Sequence, residues 1–304
     1  MEQSLEKLQF CPSCGSEQLV KTISAIDYTY SKNKFNIDRC SSCSLCFTNP
    51  RPTAGAIGKY YDNPEYVSHT DTKSGLLFTL YRVVKSYTLS RKINFLNSLS
   101  KQKNALDFGA GTGDFSIELQ KNGWYVYAYE PDLSARERIK NKSSNVELIE
   151  SISVIDSNSI SIITLWHVLE HVHTLNETLA EFSRIANDKG TLIIAVPNYQ
   201  SYDAKHYGTT WAAYDVPRHL YHFDLKSIEP LLQKHGFILK QIKPMWFDSF
   251  YVSLLSEKNS RQKGFLQNVI GWGSALIIGL VSNLWAISEK QKASSVTYVF
   301  QKVV

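Results

Sequence analysis

The chain has 304 residues, 43% of them apolar and 20% charged, with 33 basic against 28 acidic side chains and a net charge of +5. That length admits one large domain and a small one, and the composition is that of a globular protein rather than a disordered or fibrous one. The basic excess is spread thinly and no Lys/Arg run exceeds two residues, so the electrostatic footprint of a nucleic-acid binder is missing.

The first residues, Met1-Glu-Gln-Ser-Leu-Glu-Lys7, carry acids and no apolar core, which argues against a secretory signal and for a cytoplasmic setting. Cys11-Pro-Ser-Cys14 and Cys40-Ser-Ser-Cys43 then form two Cys-x-x-Cys knuckles. Each knuckle can hold two thiolates on one side of a tight turn, and the pair completes a tetrahedral Zn²⁺ site. With all four ligands cysteine, no coordination position is left for water, so the metal is expected to be structural. A redox or disulfide role is the alternative. Lys21 to Arg39 alternates apolar and polar residues as a hairpin would, and Cys46 reads as a packing residue that could compete with Cys43. Residues 1–50 are therefore expected to form a zinc ribbon, closed by the stiff Asn49-Pro-Arg-Pro52.

Residues 51–100 read as a helical linker and lid, with helices over Ala56 to Tyr61 and Ser74 to Leu99. The second carries Leu76, Leu77, Leu80, Val83, Val84, Tyr87 and Leu89 on a broad apolar face. Tyr60, Tyr61 and Tyr66 sit where a lid would close, with packing as the plainer reading of each.

From Asn104 the pattern alternates. Strands are expected at 104–108, 124–130, 145–149, 160–166 and 190–196, and helices near 113–122, 132–141 and 174–187. Alternation of this kind predicts an α/β, Rossmann-like parallel sheet covered on both faces, with ligands at the carboxyl ends of its strands. The first strand runs into Asp107-Phe-Gly109-Ala110-Gly111-Thr-Gly113, a glycine turn that opens a helix. The second strand ends in Glu130-Pro131, where an acid can accept from ribose hydroxyls. Glu150, Ser151 and Ile152, just past the third strand, stand at the position of an adenine.

Asp107-x-Gly109-x-Gly111-x-Gly113 followed by Glu130 resembles the S-adenosylmethionine site of class I methyltransferases more than a dinucleotide fingerprint. A carboxylate before the first glycine suits a sulfonium ligand with an amino group and would repel a pyrophosphate. The resemblance implies that Asp107, Gly109, Ala110, Gly111, Glu130, Pro131, Ser151, Ile152 and His167 contact the cofactor. After the fourth strand, His167-Val-Leu-Glu170-His171-Val172 places three ionisable groups at the ligand end of a buried strand, where they need partners or a job. Leu-Glu-His-Val here is similar to small-molecule class I methyltransferases. Some related enzymes hold a divalent metal with acids and histidines at this point, but usually carry Glu where this chain has His167.

The fifth strand is followed by a long aromatic loop from Tyr199 to Phe223, which includes Trp211, Tyr214, Asp215 and Pro217-Arg-His219-Leu-Tyr-His222. Loops of this length usually serve function, so this one is the expected acceptor pocket. His171, His219 and His222 are the candidates to act near the acceptor, the last two as bases. Ribbon, lid helices and core in this order resemble zinc-containing sugar C-methyltransferases and bacterial envelope-cluster enzymes. Those sugar enzymes carry a Glu-His pair in this loop. Here Arg218 precedes His219, which weakens the case for carbon methylation and leaves hydroxyls and lipids open.

Asp224 to His235 reads as the last sheet helix, and Phe237 to Trp246 with Ser295 to Val303 as a closing antiparallel pair. Residues 101–304 would thus be one methyltransferase domain interrupted by a hydrophobic helical insertion at 264–288. Phe265 to Ser288 has no charged residue. A membrane span would leave the final strand on the wrong side of the bilayer, so the insertion is expected to cap the pocket, form a homodimer or touch the inner membrane surface. The resulting expectation is S-adenosylmethionine-dependent methyl transfer to a small molecule, such as a sugar- or lipid-linked envelope precursor. The alternative is an RNA methyltransferase reading nucleic acid through its ribbon, although the Asn/Asp-Pro-Pro-Tyr/Phe signature is absent after the fourth strand.

Overall fold

The computed structural model describes residues 4–61, 76–143, 145–260 and 265–303, with the backbone alone at 76–82 and 265–269. Tyr66 and Ser74, expected in the lid and at the start of its second helix, lie outside these residues. Five strands open the chain: β1 (Leu5–Glu6), β2 (Leu19–Ile26), β3 (Lys34–Cys40), β4 (Cys46–Thr48) and β5 (Arg51–Pro52). β1 pairs with β5, while β2, β3 and β4 form an antiparallel meander. The helix expected over Ala56 to Tyr61 is a single 3₁₀ turn, Ile57–Tyr60, and α1 (Leu76–Leu99) follows.

The main sheet begins with β6 (Asn104–Phe108), α2 (Asp114–Lys121), β7 (Tyr125–Tyr129), α3 (Leu133–Lys142), β8 (Glu147–Ile149), β9 (Ile160–Trp166), α4 (Leu175–Ile185) and β10 (Ala186–Pro197). Its strands are apolar along nearly their whole length, as a sheet buried on both faces requires. The helix expected to reach residue 187 stops at Ile185, and the chain turns straight into a twelve-residue strand. β10 carries a bulge between Ala186 and Thr191, where Lys189 has a positive φ.

Beyond β10 come α5 (Tyr202–Tyr207), β11 (Tyr221–His222), α6 (Leu225–Lys234), β12 (Phe237–Pro244), α7 (Asp248–Ser260), α8 (Phe265–Ser288) and β13 (Ser295–Lys302). The seven-stranded order is β12-β13-β10-β9-β6-β7-β8, parallel from β10 to β8 and closed by the antiparallel pair. The helix α7 is absent from the sequence expectation. Its serines Ser249, Ser253 and Ser256 face inward while Tyr251 and Leu254 are exposed, so its hydrophobic pattern hides the helix.

The ribbon is tied to the main body through β11. Tyr221 and His222 pair with Phe47 and Cys46, giving a second sheet ordered β11-β4-β3-β2. A loop beside the main sheet thus supplies the ribbon's last strand. The tie is fixed by Arg218, which is 1% exposed and donates to Asp27 of the ribbon at 3.1 Å, to Asp215 and to the carbonyl of Tyr60. Burial resists ionisation of Asp27, but the amides of Ser31 and Tyr30 and the Arg218 charge together hold its carboxyl below the usual range. Removing one member of such a buried pair strands the other, at ~3–5 kcal/mol. Arg218→Met should lower unfolding stability by about that amount in urea titrations, whereas a change under ~1 kcal/mol would show the pair to be dispensable.

Candidate functional site

The glycine turn joins β6 to α2 at the carboxyl edge of the sheet, where β6 separates β7 from β9. Gly109, Gly111 and Gly113 all have positive φ, but they meet different surroundings. A Cβ on Gly109 would lie 2.5 Å from Val168 Cγ2, and one on Gly113 would lie 2.7 Å from Ile139 Cγ1. Those two glycines serve close packing. A Cβ on Gly111 would meet nothing within 4 Å, so open space lies at the middle of the turn. Gly109 and Ala110 donate to the carbonyl of Tyr129, which sews the turn to the end of β7.

Glu130 completes this cradle. Its Oε2 accepts from the Gly111 amide at 2.8 Å and its Oε1 from the Asp132 amide at 2.9 Å. Each oxygen retains a further lone pair for a hydroxyl donor. Burial raises the carboxyl above its ordinary range while those two amides oppose the rise. Pro131 is exposed beside it, Ser151 caps the 3₁₀ turn Ile152–Val154 past β8, and Ile152 is half-buried.

Asp107, expected at the cofactor, is held by neighbouring hydroxyls. It is 2% exposed, and its oxygens accept from Ser116 at 2.5 Å and from Thr164 at 3.0 Å. The carboxylate therefore clamps α2 and β9 onto β6, and burial pushes its pKa up.

A second group gathers past β9. His167, at φ 58°, sits with Nε2 3.1 Å from Asp248 Oδ2 and Nδ1 3.5 Å from Glu170 Oε1. Burial disfavours its charge, but the two carboxylates prevail and raise its pKa to about 10. Rather than facing the cofactor cradle alone, His167 is the ion-pair hinge between this turn and α7.

Glu170 is 1% exposed, and neither of its carboxylate oxygens has a hydrogen-bond partner among the described residues. Ligand atoms of Glu170, His171 and His219 lie within 4.8 Å of one another. His171 Nδ1 lies 3.0 Å from the carbonyl of Arg218 and His219 Nδ1 lies 2.9 Å from that of Ala213. A carbonyl can only accept, so the His219 Nδ1 carries a proton, while the His171 Nδ1 stands between the Arg218 carbonyl and the Tyr61 hydroxyl, the latter at 2.9 Å. Burial, with the neighbouring His219, lowers the His171 pKa to about 4. The result is a group of two imidazoles and a buried carboxylate that could take hydroxyl groups or a divalent cation.

His222 lies in β11, its Nε2 is 3.3 Å from Thr48 Oγ1, and burial, with the neighbouring His219, lowers its pKa to about 3. Strand pairing holds it in the ribbon sheet, beside the group formed by Glu170 and His219. Lys92, which sequence reasoning missed, stands with Nζ 3.8 Å from the Trp166 ring centroid at the end of β9. Burial lowers its pKa to about 8 against the pull of Asp248 and Asp107. The signal available in the sequence was a lysine interrupting an apolar helix face.

The four ribbon cysteines bring their sulfurs within 4.8 Å of one another, with Cys11 to Cys43 at 3.5 Å and Cys14 to Cys40 at 3.6 Å. Four thiolates at ~2.3 Å from one zinc would stand about 3.7 Å apart, so this set fits the ion, while a disulfide at ~2.05 Å does not fit. Each knuckle is closed by a residue of positive φ, Gly15 in one and Ser44 in the other. Cys46 stays outside the set in β4, where burial raises its thiol to about 11. A cavity of about 840 Å³ lined by Lys101, Asn104, Asn158 and Asn187 opens at the opposite end of the sheet, away from all of these groups.

Among known proteins, a methyltransferase domain family matches residues 82–242. An uncharacterized methyltransferase of Alkaliphilus oremlandii is 24% identical over 149 residues, covering 48% of this chain and 66% of the relative. The chain thus spans just under two thirds of the curated relative's length. The crystal structure of a proposed sarcosine dimethylglycine methyltransferase from Galdieria sulphuraria shares the fold, with a TM-score of 0.51 at 13% identity over 74% of this chain and 88% of that one. An S-adenosylmethionine-dependent methyltransferase from Archaeoglobus fulgidus is 13% identical, with a TM-score of 0.49 over 75% of this chain and 100% of that one.

Two outcomes are expected. Because β11 hangs on β4, stripping zinc with a strong chelator should raise hydrogen exchange at Tyr221 and His222 together with the ribbon amides; exchange confined to the knuckles would separate the two. The His167 ion pairs contribute stability that is fully present below pH 6.5 and lost as pH rises through about 10. Thermal midpoints should therefore fall over that window in the parent protein and stay flatter in His167→Gln.

Proposed function

The chain belongs to the methyltransferase domain family, and on that premise we propose that it transfers a methyl group from S-adenosylmethionine to a hydroxyl of a small-molecule acceptor, a sugar- or lipid-linked cell-envelope precursor. One observation carries the choice of acceptor. Glu170 presents a buried carboxylate whose nearest donor, His167 Nδ1, stands 3.5 Å away, and it lies beside His171 and His219. Acceptor atoms left open in a buried pocket are satisfied by a ligand that brings O–H groups. Arg218, which replaces the acid of the sugar C-methyltransferases, supports the same choice because it is consumed by Asp27 and Asp215.

The residues fit the cofactor. Glu130 offers its remaining lone pairs to the ribose hydroxyls, and the open side of Gly111 lets the ligand approach the backbone. Lys92 would meet the methionyl carboxylate, with Asp107 acting indirectly by holding β6, β9 and α2 together. Bound there, the cofactor supplies an electrophilic methyl group on a sulfonium. His219 Nε2 takes the proton of the acceptor hydroxyl, and Glu170 orients that hydroxyl. Methyl transfer is an in-line displacement, so alignment and exclusion of water matter more than strong base catalysis. The Arg218 and Asp215 pairing contributes by keeping the His219 loop from drifting. Zinc in the ribbon keeps a structural role.

Isothermal titration with S-adenosylhomocysteine should show one site, weakened at least tenfold in Glu130→Ala. No binding, or unchanged affinity in that variant, would overturn the cofactor assignment. With an ammonium pKa of about 8 at Lys92, affinity should decline as pH rises through 8 and lose that dependence in Lys92→Met. His219→Asn should leave cofactor affinity intact while lowering turnover by roughly 10²–10⁴.

A further inference from the structure

The helix α8 is built inside out. Its 24 residues carry no charge, yet the window from Ile270 to Ser288 is only 33% buried. The face turned to the protein is made mostly of small and polar residues, with Ile278 the large apolar residue buried among them. A Cβ on Gly279 would lie 2.6 Å from Phe250, Ser282 donates to Asp203 at 2.6 Å, and Ser274 donates to Glu257. The face turned outward carries Ile270, Leu276, Ile277, Leu280, Leu284 and Ile287, each more than half exposed. Their spacing keeps them on one side of the helix. Trp272 and Trp285 stand on the same helix with 59% and 39% exposure, and Trp246, Phe247 and Tyr251 extend the exposed apolar surface onto the adjoining α7 segment.

Folding alone would put the large residues inward, so this arrangement calls for a covering. A bilayer span is excluded by the hydrogen bonds of Ser274 and Ser282 to the body, which hold the helix flat against it. The charges around the patch indicate the covering. Lys205 and Lys292 place their ammonium groups 5.4 and 5.2 Å from the Trp285 ring centroid. Lys240 and Lys290 line a depression shared with Ile287. Lys243, whose Nζ lies 3.5 Å from the Phe95 ring centroid, has Arg91 and Lys290 nearby. The acid within this rim, Glu289, already pairs with Lys292.

We propose that the exposed faces of α7 and α8 dock the protein onto an anionic phospholipid surface, with the aliphatic stripe in the acyl boundary and the lysine rim on the headgroups. Tryptophan and lysine at one end of an uncharged stripe are the pattern of interfacial anchoring. Asp248, which opens α7, is the ion-pair partner of His167, so the docked surface is joined directly to the ligand end of the sheet. A membrane-borne acceptor would then reach the site without leaving the interface. The docking itself does not depend on the methyl-transfer reading.

The test is co-sedimentation of the full chain with vesicles of phosphatidylcholine alone and of phosphatidylcholine mixed with phosphatidylglycerol. Binding is expected to the mixed vesicles, weaker in high salt, and lost at least tenfold in Leu280→Asp. Lys243→Ala and Lys290→Ala should each weaken it about fivefold. Unchanged S-adenosylhomocysteine affinity in these variants would show that they fold, and keeps failure of docking distinct from failure of the enzymatic reading. Binding indifferent to lipid charge overturns the proposal. So does a protein that ignores vesicles, whether it is a monomer or a dimer that Leu280→Asp dissociates in light scattering; the latter would assign the face to a second copy.

Discussion

The Arg218 guanidinium is the point on which the rest of the structure depends. Fully buried, it links Asp27 of the ribbon, the carbonyl of Tyr60 and Asp215 of its own loop. An ion in that setting is tolerated only when its hydrogen-bonding groups are met, and the loop conformation is the one that meets them. From this follow the position of His219 one residue later, the hydrogen bond from Leu220 to Glu170, and the addition of β11 to the ribbon sheet. The ribbon thereby braces the loop that carries His219.

The two halves of the site are built by different physics. On the donor side, backbone geometry dominates, with one open glycine and a carboxylate that ties the turn to the next strand. On the proposed acceptor side, side-chain polarity dominates, with a buried carboxylate and two imidazoles gathered within 4.8 Å of one another. His167 and Asp248 connect the acceptor side to the helical hairpin, and a charged histidine between two carboxylates gives that connection its strength near neutral pH.

The main sheet was legible because each of its strands is an apolar run bounded by turn residues, and the cysteine knuckles because their spacing has few other uses. What could not be read were contacts made across great sequence distance. Nothing local marks Arg218 as the partner of Asp27, or Tyr221 as a strand residue opposite Phe47. The acid at Asp107 fits the cofactor pattern by position, yet its hydroxyl neighbours Ser116 and Thr164 absorb it. For α7 and α8 the usual inference from amphipathicity fails, since the large apolar residues face outward. A rule based on burial misplaces them by half a turn.

The most direct test of the enzymatic claim is to incubate the full chain with S-adenosylmethionine carrying a deuterated methyl group and cell extract, then to follow the label by mass spectrometry in the small-molecule, lipid and RNA fractions. The account predicts label on an oxygen of a sugar- or lipid-linked compound, and none when His219→Asn replaces the parent protein. Label in RNA, or label that persists in that variant, would contradict it.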